Sequence, residues 1–261
     1  MKLLKLIFLG GFLISAFNAQ AKIAAVIGAA ALKHNQNLAN VMPEMKEDEL
    51  LISREQYVLS YNREKRSPNW VEWKLEASDI GAIPRTNAFA IDPDLDAFLK
   101  EQGKGELFVE PLEYYGGCFD RGHQLPSKDR TDSSANNQFT FMMTNMLPQT
   151  AFLNRVIWEH LEEHTRNLVQ QQGKKLYVIA GPVYDEDFGT VGAHQDIPIP
   201  SQNFKIIYVL NKNQSAKDIN DKTEVIAVLM PNVFSDGSKP VNGHCLIENR
   251  SEEHTSELQS H

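Results

Sequence analysis

The sequence predicts an α+β domain: a central, largely antiparallel β-sheet flanked by helices. Three observations carry that expectation. Short aromatic and β-branched runs bounded by turn residues recur along the chain, one segment from Leu153 to Gly173 has a clear helical period, and few other helical patterns lie between the strands. The chain has 261 residues, 42% hydrophobic and 23% charged, enough to bury one sizeable core. It contains no internal repeat and no low-complexity linker.

The elements follow in chain order. The opening "MKLLKLIFLGGFLISAFNAQAK" has Lys2 and Lys5, an apolar run from Leu6 to Phe17, and Ala19-Gln20-Ala21 before Lys22. That is the pattern of a secretory signal peptide over 1–21, which places the mature chain in a secreted or periplasmic setting with no stable membrane association after cleavage. The next run, "IAAVIGAAAL", is also apolar and leaves two further readings open, an uncleaved anchor or an N-terminal helix packed on the domain. Residues 22–54 are read as an N-terminal segment and 55–249 as the main domain.

From Glu55 to Leu75 the pattern gives two strands around a polar turn, Asn62 to Asn69. "IPRTNAFAIDPDL", from Ile83 to Leu95, reads as loop. "ELFVEPLEYYGG" reads as an extended segment turning at Gly116-Gly117, just before "GCFDRGHQLPSKDR". Phe139 to Met143 is expected as a short apolar strand entering a loop. In "LNRVIWEHLEEHTRNLVQQQG", Leu153, Ile157, Leu161 and Leu168 recur at helical spacing and Gly173 supplies the stop. "KKLYVIAGPVY", "FKIIYVLNK" and "TEVIAVLMP" are strands separated by turn residues. The final "RSEEHTSELQSH", 250–261, resembles the reading-frame translation of a sequencing-library adapter. It is read as non-native, with the natural chain continuing beyond Asn249.

The formal net charge is −8, and it is unchanged without 1–21 and 250–261, whose charges cancel. A general cationic surface is excluded, so any polyanion site must be a local basic cleft. The two cysteines, Cys118 and Cys245, can pair with each other, or Cys245 with a residue beyond the chain given.

Asp120, Arg121, Gly122 and His123 stand in succession, and Asn145, Asn154 and Glu162 follow in order. An imidazole that is neutral near pH 7 suits a general base, and an amide oxygen suits a hard cation that keeps its waters. His160 and His164 are one helical turn apart, but Leu161 stands where a zinc-protease helix has glutamate, so a solvated face among Glu159, Glu163 and Arg166 is the better reading. "REKR", Arg63 to Arg66, is read as a charged hairpin turn, and Trp70, Trp73 and Trp158 as core.

With "DRGHQLPSKDR", "TFMMTNMLPQ", "LNRVIWEHLE", "KKLYVIAGPVY" and "IPIPSQNFKIIYVL" in this order, the chain from about Tyr57 to Asn232 resembles the DNA/RNA non-specific endonucleases of the ββα-metal (His-Me finger) superfamily. The resemblance implies a ββα-metal site and Mg²⁺-dependent hydrolysis of DNA and RNA without sequence preference, Mn²⁺ being a possible substitute, leaving 5′-phosphate ends. It implies His123 as general base, Asn154 as direct metal ligand, Glu162 as ligand through water, Asn145 as the loop asparagine of the site, and Arg85 and Arg121 as substrate-binding arginines. Asp120 is expected to orient Asn154 or Arg121. A nuclease restricted to one nucleic acid, and an inactive nucleic-acid- or partner-binding module on the same fold, are the alternatives. A protein inhibitor is a further possible partner that the sequence does not identify.

Overall fold

The computed structural model describes residues 25–28, 35–38, 49–103, 109–114, 117–192 and 196–243. The leader 1–21, Gly116, Cys245 and the 250–261 tail lie outside the described residues. Seven strands form the central sheet in the order β1-β2-β3-β4-β7-β10-β11. They are β1 Ala25–Ile27, β2 Leu50–Ser53, β3 Val58–Asn62, β4 Ser67–Leu75, β7 Lys174–Val183, β10 Gln202–Asn211 and β11 Glu224–Pro231. Only the β1–β2 pair is parallel, so the sheet is largely antiparallel as the sequence predicts. Two small hairpins stand apart from it: β5 Phe119–His123 with β6 Met146–Thr150, and β8 Thr190–Val191 with β9 Ile197–Pro198.

One face of the sheet carries the main core, where Leu59, Val71, Trp73, Val178, Ile207 and Val209 meet Leu153, Trp158, Leu168 and Val169. Those last four belong to one continuous helical run. After a short α-helical start at Ala151 and Phe152 it passes through a π-helical segment, Leu153–Trp158, and continues as α3, Glu159–Gln172. Gly173 ends it in the left-handed conformation, φ 64°, as its position in the sequence indicates.

Several expectations are corrected. Within the apolar run after the leader, residues 25–27 form strand β1, the rest of the run apart from Gly28 lying outside the described residues, and β1 and β2 draw part of the 22–54 segment into the sheet. Residues 139–143 are not a strand: Phe139 ends α2, Ser134–Phe139, whose start is capped by the Ser133 side chain accepting from Asn136 N, and the strand begins at Met146. Pro93–Glu101 is a helix, α1, hidden behind two prolines; Asp92 caps it with Pro93 in the first turn, where a missing N–H costs nothing. Within "ELFVEPLEYYGG", Pro111–Tyr114 is a 3₁₀ turn and not extended.

Arg54, 2% exposed, locks α1 to the sheet. Its guanidinium donates to Asp92, to Asp94 Oδ2 at 2.7 Å and to the Tyr57 hydroxyl at 2.7 Å, while the Tyr57 hydroxyl donates to Phe139 O at 3.1 Å. Removing one partner of such a buried pair leaves the other charge desolvated and unpaired. Arg54→Met is therefore expected to cost about 3–5 kcal/mol in denaturant unfolding. A loss under about 1 kcal/mol, the scale of an exposed ion pair, contradicts this reading.

Candidate active site

The β5–β6 hairpin carries the Asp120–His123 motif, with Asp120 opposite Gln149 and Gly122 opposite Leu147. The glycine has a steric reason: a Cβ on Gly122 would lie 2.1 Å from Gln149 Oε1 and 2.5 Å from its Cγ. Gln149 is fully buried beneath that gap, and neither of its amide atoms has a hydrogen-bond partner within the protein. Orphaned buried amides are rare and costly, and Gln124 and Asn203 are placed likewise among the described residues.

Asp120, 1% exposed, joins the hairpin to the helix. It accepts two parallel bonds from Arg155, at 2.8 and 2.9 Å, and a third from Asn154 Nδ2 at 2.9 Å. The third bond fixes the amide plane of Asn154 and leaves Oδ1 as the atom it can offer to a cation. Asn154 lies in the π-helical segment, a local widening of the helix found frequently at functional sites.

His123 is enclosed by aromatic rings. Phe141 and Phe89 meet its imidazole edge to face at 4.9 and 5.7 Å between centroids, and each carries an arginine. The Arg85 guanidinium lies 4.7 Å over Phe141 and that of Arg121 3.9 Å over Phe89. A parallel bridge between Ala90 and Met142 sets the two phenylalanines side by side, and Asn137 Oδ1 accepts from Thr86 N at 3.0 Å next to Arg85. Nε2 of His123 is buried without a partner, and the ring's backbone hydrogen bond goes to Arg121. Burial first, and then the positive charge of Arg85, push the imidazole pKa well below 6.5.

The chain matches the family model described as DNA/RNA non-specific endonuclease over residues 33–247. It belongs to that family. It is 41% identical to a nuclease of Nostoc sp. over 188 residues, covering 71% of this chain and 64% of that protein. It is 29% identical to a mitochondrial nuclease of Saccharomyces cerevisiae, covering 70% and 56% of the two chains. The chain thus spans less than two thirds of the length of these relatives. Among solved structures, that of an EndoG/EndoGI complex aligns with a TM-score of 0.60 at 24% identity, covering 88% of this chain and 90% of the other, a likeness of fold.

In this family member Asn145 holds the loop after His123. Its Oδ1 accepts from Leu125 N at 2.9 Å, and its Nδ2 donates to Leu125 O at 2.9 Å and Thr140 O at 2.7 Å. Both of its amide atoms are spent on backbone and it has no exposed surface, so what it fixes is the shape of that loop. Asp120 orients Asn154, as one of its two expected partners, but its other partner is Arg155, which the sequence reading missed; Arg121 lies over Phe89 instead.

Glu162 is buried on α3, its Oε1 3.4 Å from Lys205 Nζ and its Oε2 4.0 Å from Arg166 Nη1. Burial raises its pKa, and Lys205 opposes that rise. Arg166 is no solvated residue: it is buried, 3.2 Å from Asp129 Oδ1, while Asp129 Oδ2 accepts from Trp73 Nε1 at 3.1 Å. His160 and His164 both lie exposed. Among the described residues no group of three or more His, Cys, Asp and Glu side chains is placed to hold a metal. Cys118 is disulfide-bonded.

The Gly122–Gln149 contact can be tested by a double-mutant cycle. Gly122→Ala is expected to destabilise the fold by about 1–3 kcal/mol, the usual cost of overpacking. Adding Gln149→Ala should return most of that loss in denaturant melts. Additive losses would show that the glycine answers to some other constraint.

Proposed function

We propose that this protein is a secreted or periplasmic endonuclease that hydrolyses phosphodiester bonds of DNA and RNA without sequence preference, using a hydrated Mg²⁺ for which Mn²⁺ can substitute. The observation that carries the reading is the buried, unpartnered Nε2 of a neutral His123 set between two arginine-bearing rings. Localisation rests on the leader pattern of 1–21.

The residues present fit a hard divalent cation. Asn154 can offer Oδ1 directly, Glu162 can reach the hydrated ion through water, and the orphaned Gln149 amide supplies further polar capacity beside Asp120. Such an ion, when bound, neutralises charge on the phosphate and the departing O3′. The protein's own part follows from its geometry. His123 accepts the proton of the attacking water at Nε2, a contribution of roughly 10²–10⁴-fold for a general base. Its hydrogen bond to the Arg121 backbone holds the ring in place. Arg85 and Arg121 present planar forks to non-bridging oxygens, and the rings beneath them limit how far those forks can swing. Phosphate oxygens are common to DNA and RNA, so recognition through them carries no base sequence.

A polar cleft of about 300 Å³ beside α3, lined by Lys128, Glu159, Glu163, Arg166, Asn167 and Gln170, has charges of both signs and is not lined by His123 or Asn154. It is a poor candidate for the phosphate path.

Plasmid DNA and RNA should be digested by the purified protein with Mg²⁺ and spared with a chelator. Cleavage of one polymer alone would narrow the substrate, and cleavage of neither would favour a binding module. The pH profile tests the base. A folded-state pKa depressed below 6.5 keeps His123 neutral as pH falls from 8 to 6.5, so kcat/KM should hold there and fall only at lower pH. The unfolded chain takes up the proton first, so stability should also decline below about pH 6.5. An acid limb centred at or above 6.5 contradicts the neutral, buried base.

A further inference from the structure

Lys205 projects from β10 into the main core with 1% of its side chain exposed, an expensive position for an ammonium. Its Nζ lies 3.4 Å from Glu162 Oε1 and 4.0 Å over the ring of Trp158. The indole N–H of Trp158 in turn donates to the carbonyl of His123 at 3.3 Å. The other cation near Glu162, Arg166, is closer to Asp129, at 3.2 Å, than to Glu162, at 4.0 Å. Lys205 is therefore the nearer cation to the Glu162 carboxylate. It reaches that carboxylate from the sheet, while Glu162 stands on the helix.

A flexible aliphatic side chain could fill this space without the cost of desolvating a charge. What the ammonium adds is direction: it draws Oε1 toward the sheet and restricts the glutamate to one rotamer, while the face of Trp158 keeps the ammonium from following the carboxylate outward. We propose that Lys205 is a positioning residue for Glu162, fixing the carboxylate that addresses the hydrated cation and coupling it through Trp158 to the strand of the base. The proposal rests on the metal-dependent reading above.

The test uses Mn²⁺ alone as probe. His123→Ala protein is titrated with Mn²⁺ by calorimetry, with Lys205 intact and as Lys205→Met, Lys205→Gln and Lys205→Arg. Thermal melts record folding, and kcat and KM on plasmid DNA are measured in the same Lys205 variants with His123 restored. Lys205→Met and Lys205→Gln are expected to weaken Mn²⁺ binding by about 10–100-fold, the range for outer-shell partners. Both should also lower kcat with little change in KM for DNA, and Lys205→Arg should recover most of the loss because it retains the cation. Unchanged Mn²⁺ affinity in a folded Met or Gln variant overturns the proposal. So does failure of both to fold, which would make Lys205 a residue of the fold alone. No Mn²⁺ uptake by the His123→Ala parent overturns the metal reading and this proposal together, whereas uptake indifferent to Lys205 overturns this proposal alone.

Discussion

A single buried carboxylate joins the two pieces of polypeptide that carry the candidate site. Asp120 reaches from the β5–β6 hairpin to the helix, holding Arg155 by two bonds and Asn154 by one. A two-stranded hairpin of five residue pairs is at best marginally stable by itself. Its shape is borrowed from what it touches: Asp120 on the helix side, Asn145 across the loop that follows His123, and Asn232, which donates to Pro148 O and Pro200 O and accepts from Thr150 N. Each of these amides replaces backbone pairing that a larger sheet would provide, so the hairpin is held by side chains whose bonds are directional.

The electrostatics follow a similar economy. The chain carries a net charge of −8, yet the surroundings of His123 are positive because Arg85 and Arg121 are seated on the two rings that contact it. Those cations and the burial act on the imidazole in the same direction, against its protonation. Under the proposed function, the arginines that would meet phosphate oxygens also keep His123 neutral, and one cage of two phenylalanines would serve both ends. Deeper in the core, Lys205, Glu162, Arg166 and Asp129 form a row of alternating basic and acidic side chains, so that each faces an opposite partner away from water.

Much of this was legible in the sequence, for physical reasons that differ by element. β3, β4, β7, β10 and β11 were visible because their β-branched and aromatic runs are bounded by turn residues, and α3 because its apolar period ends at Gly173. α1 and α2 were not, because they are short and begin with signals, Asp92-Pro93 and Ser133, that also mark loops. The Asp120–His123 motif and Asn154 could be singled out as candidates for chemistry. Their supports could not, since Phe89, Phe141, Arg155, Gln149 and Lys205 act through contacts between distant parts of the chain. Arg155 was the nearest to visible, standing directly after Asn154; the burial of Arg166 was not visible because its partner, Asp129, stands 37 residues earlier in the chain. The glycine of the motif acquired its reason only when Gln149 was found beneath it.

In the proposed function, Asp120 aims Asn154 at a divalent cation. The most direct measurement is the Mn²⁺ affinity of Asp120→Asn protein against the parent, by calorimetric titration at fixed pH, with circular dichroism confirming an intact fold. A loss of about 10–100-fold is expected, as for other residues that orient a metal ligand. An Asp120→Asn protein that is folded and binds Mn²⁺ as tightly as the parent would contradict it.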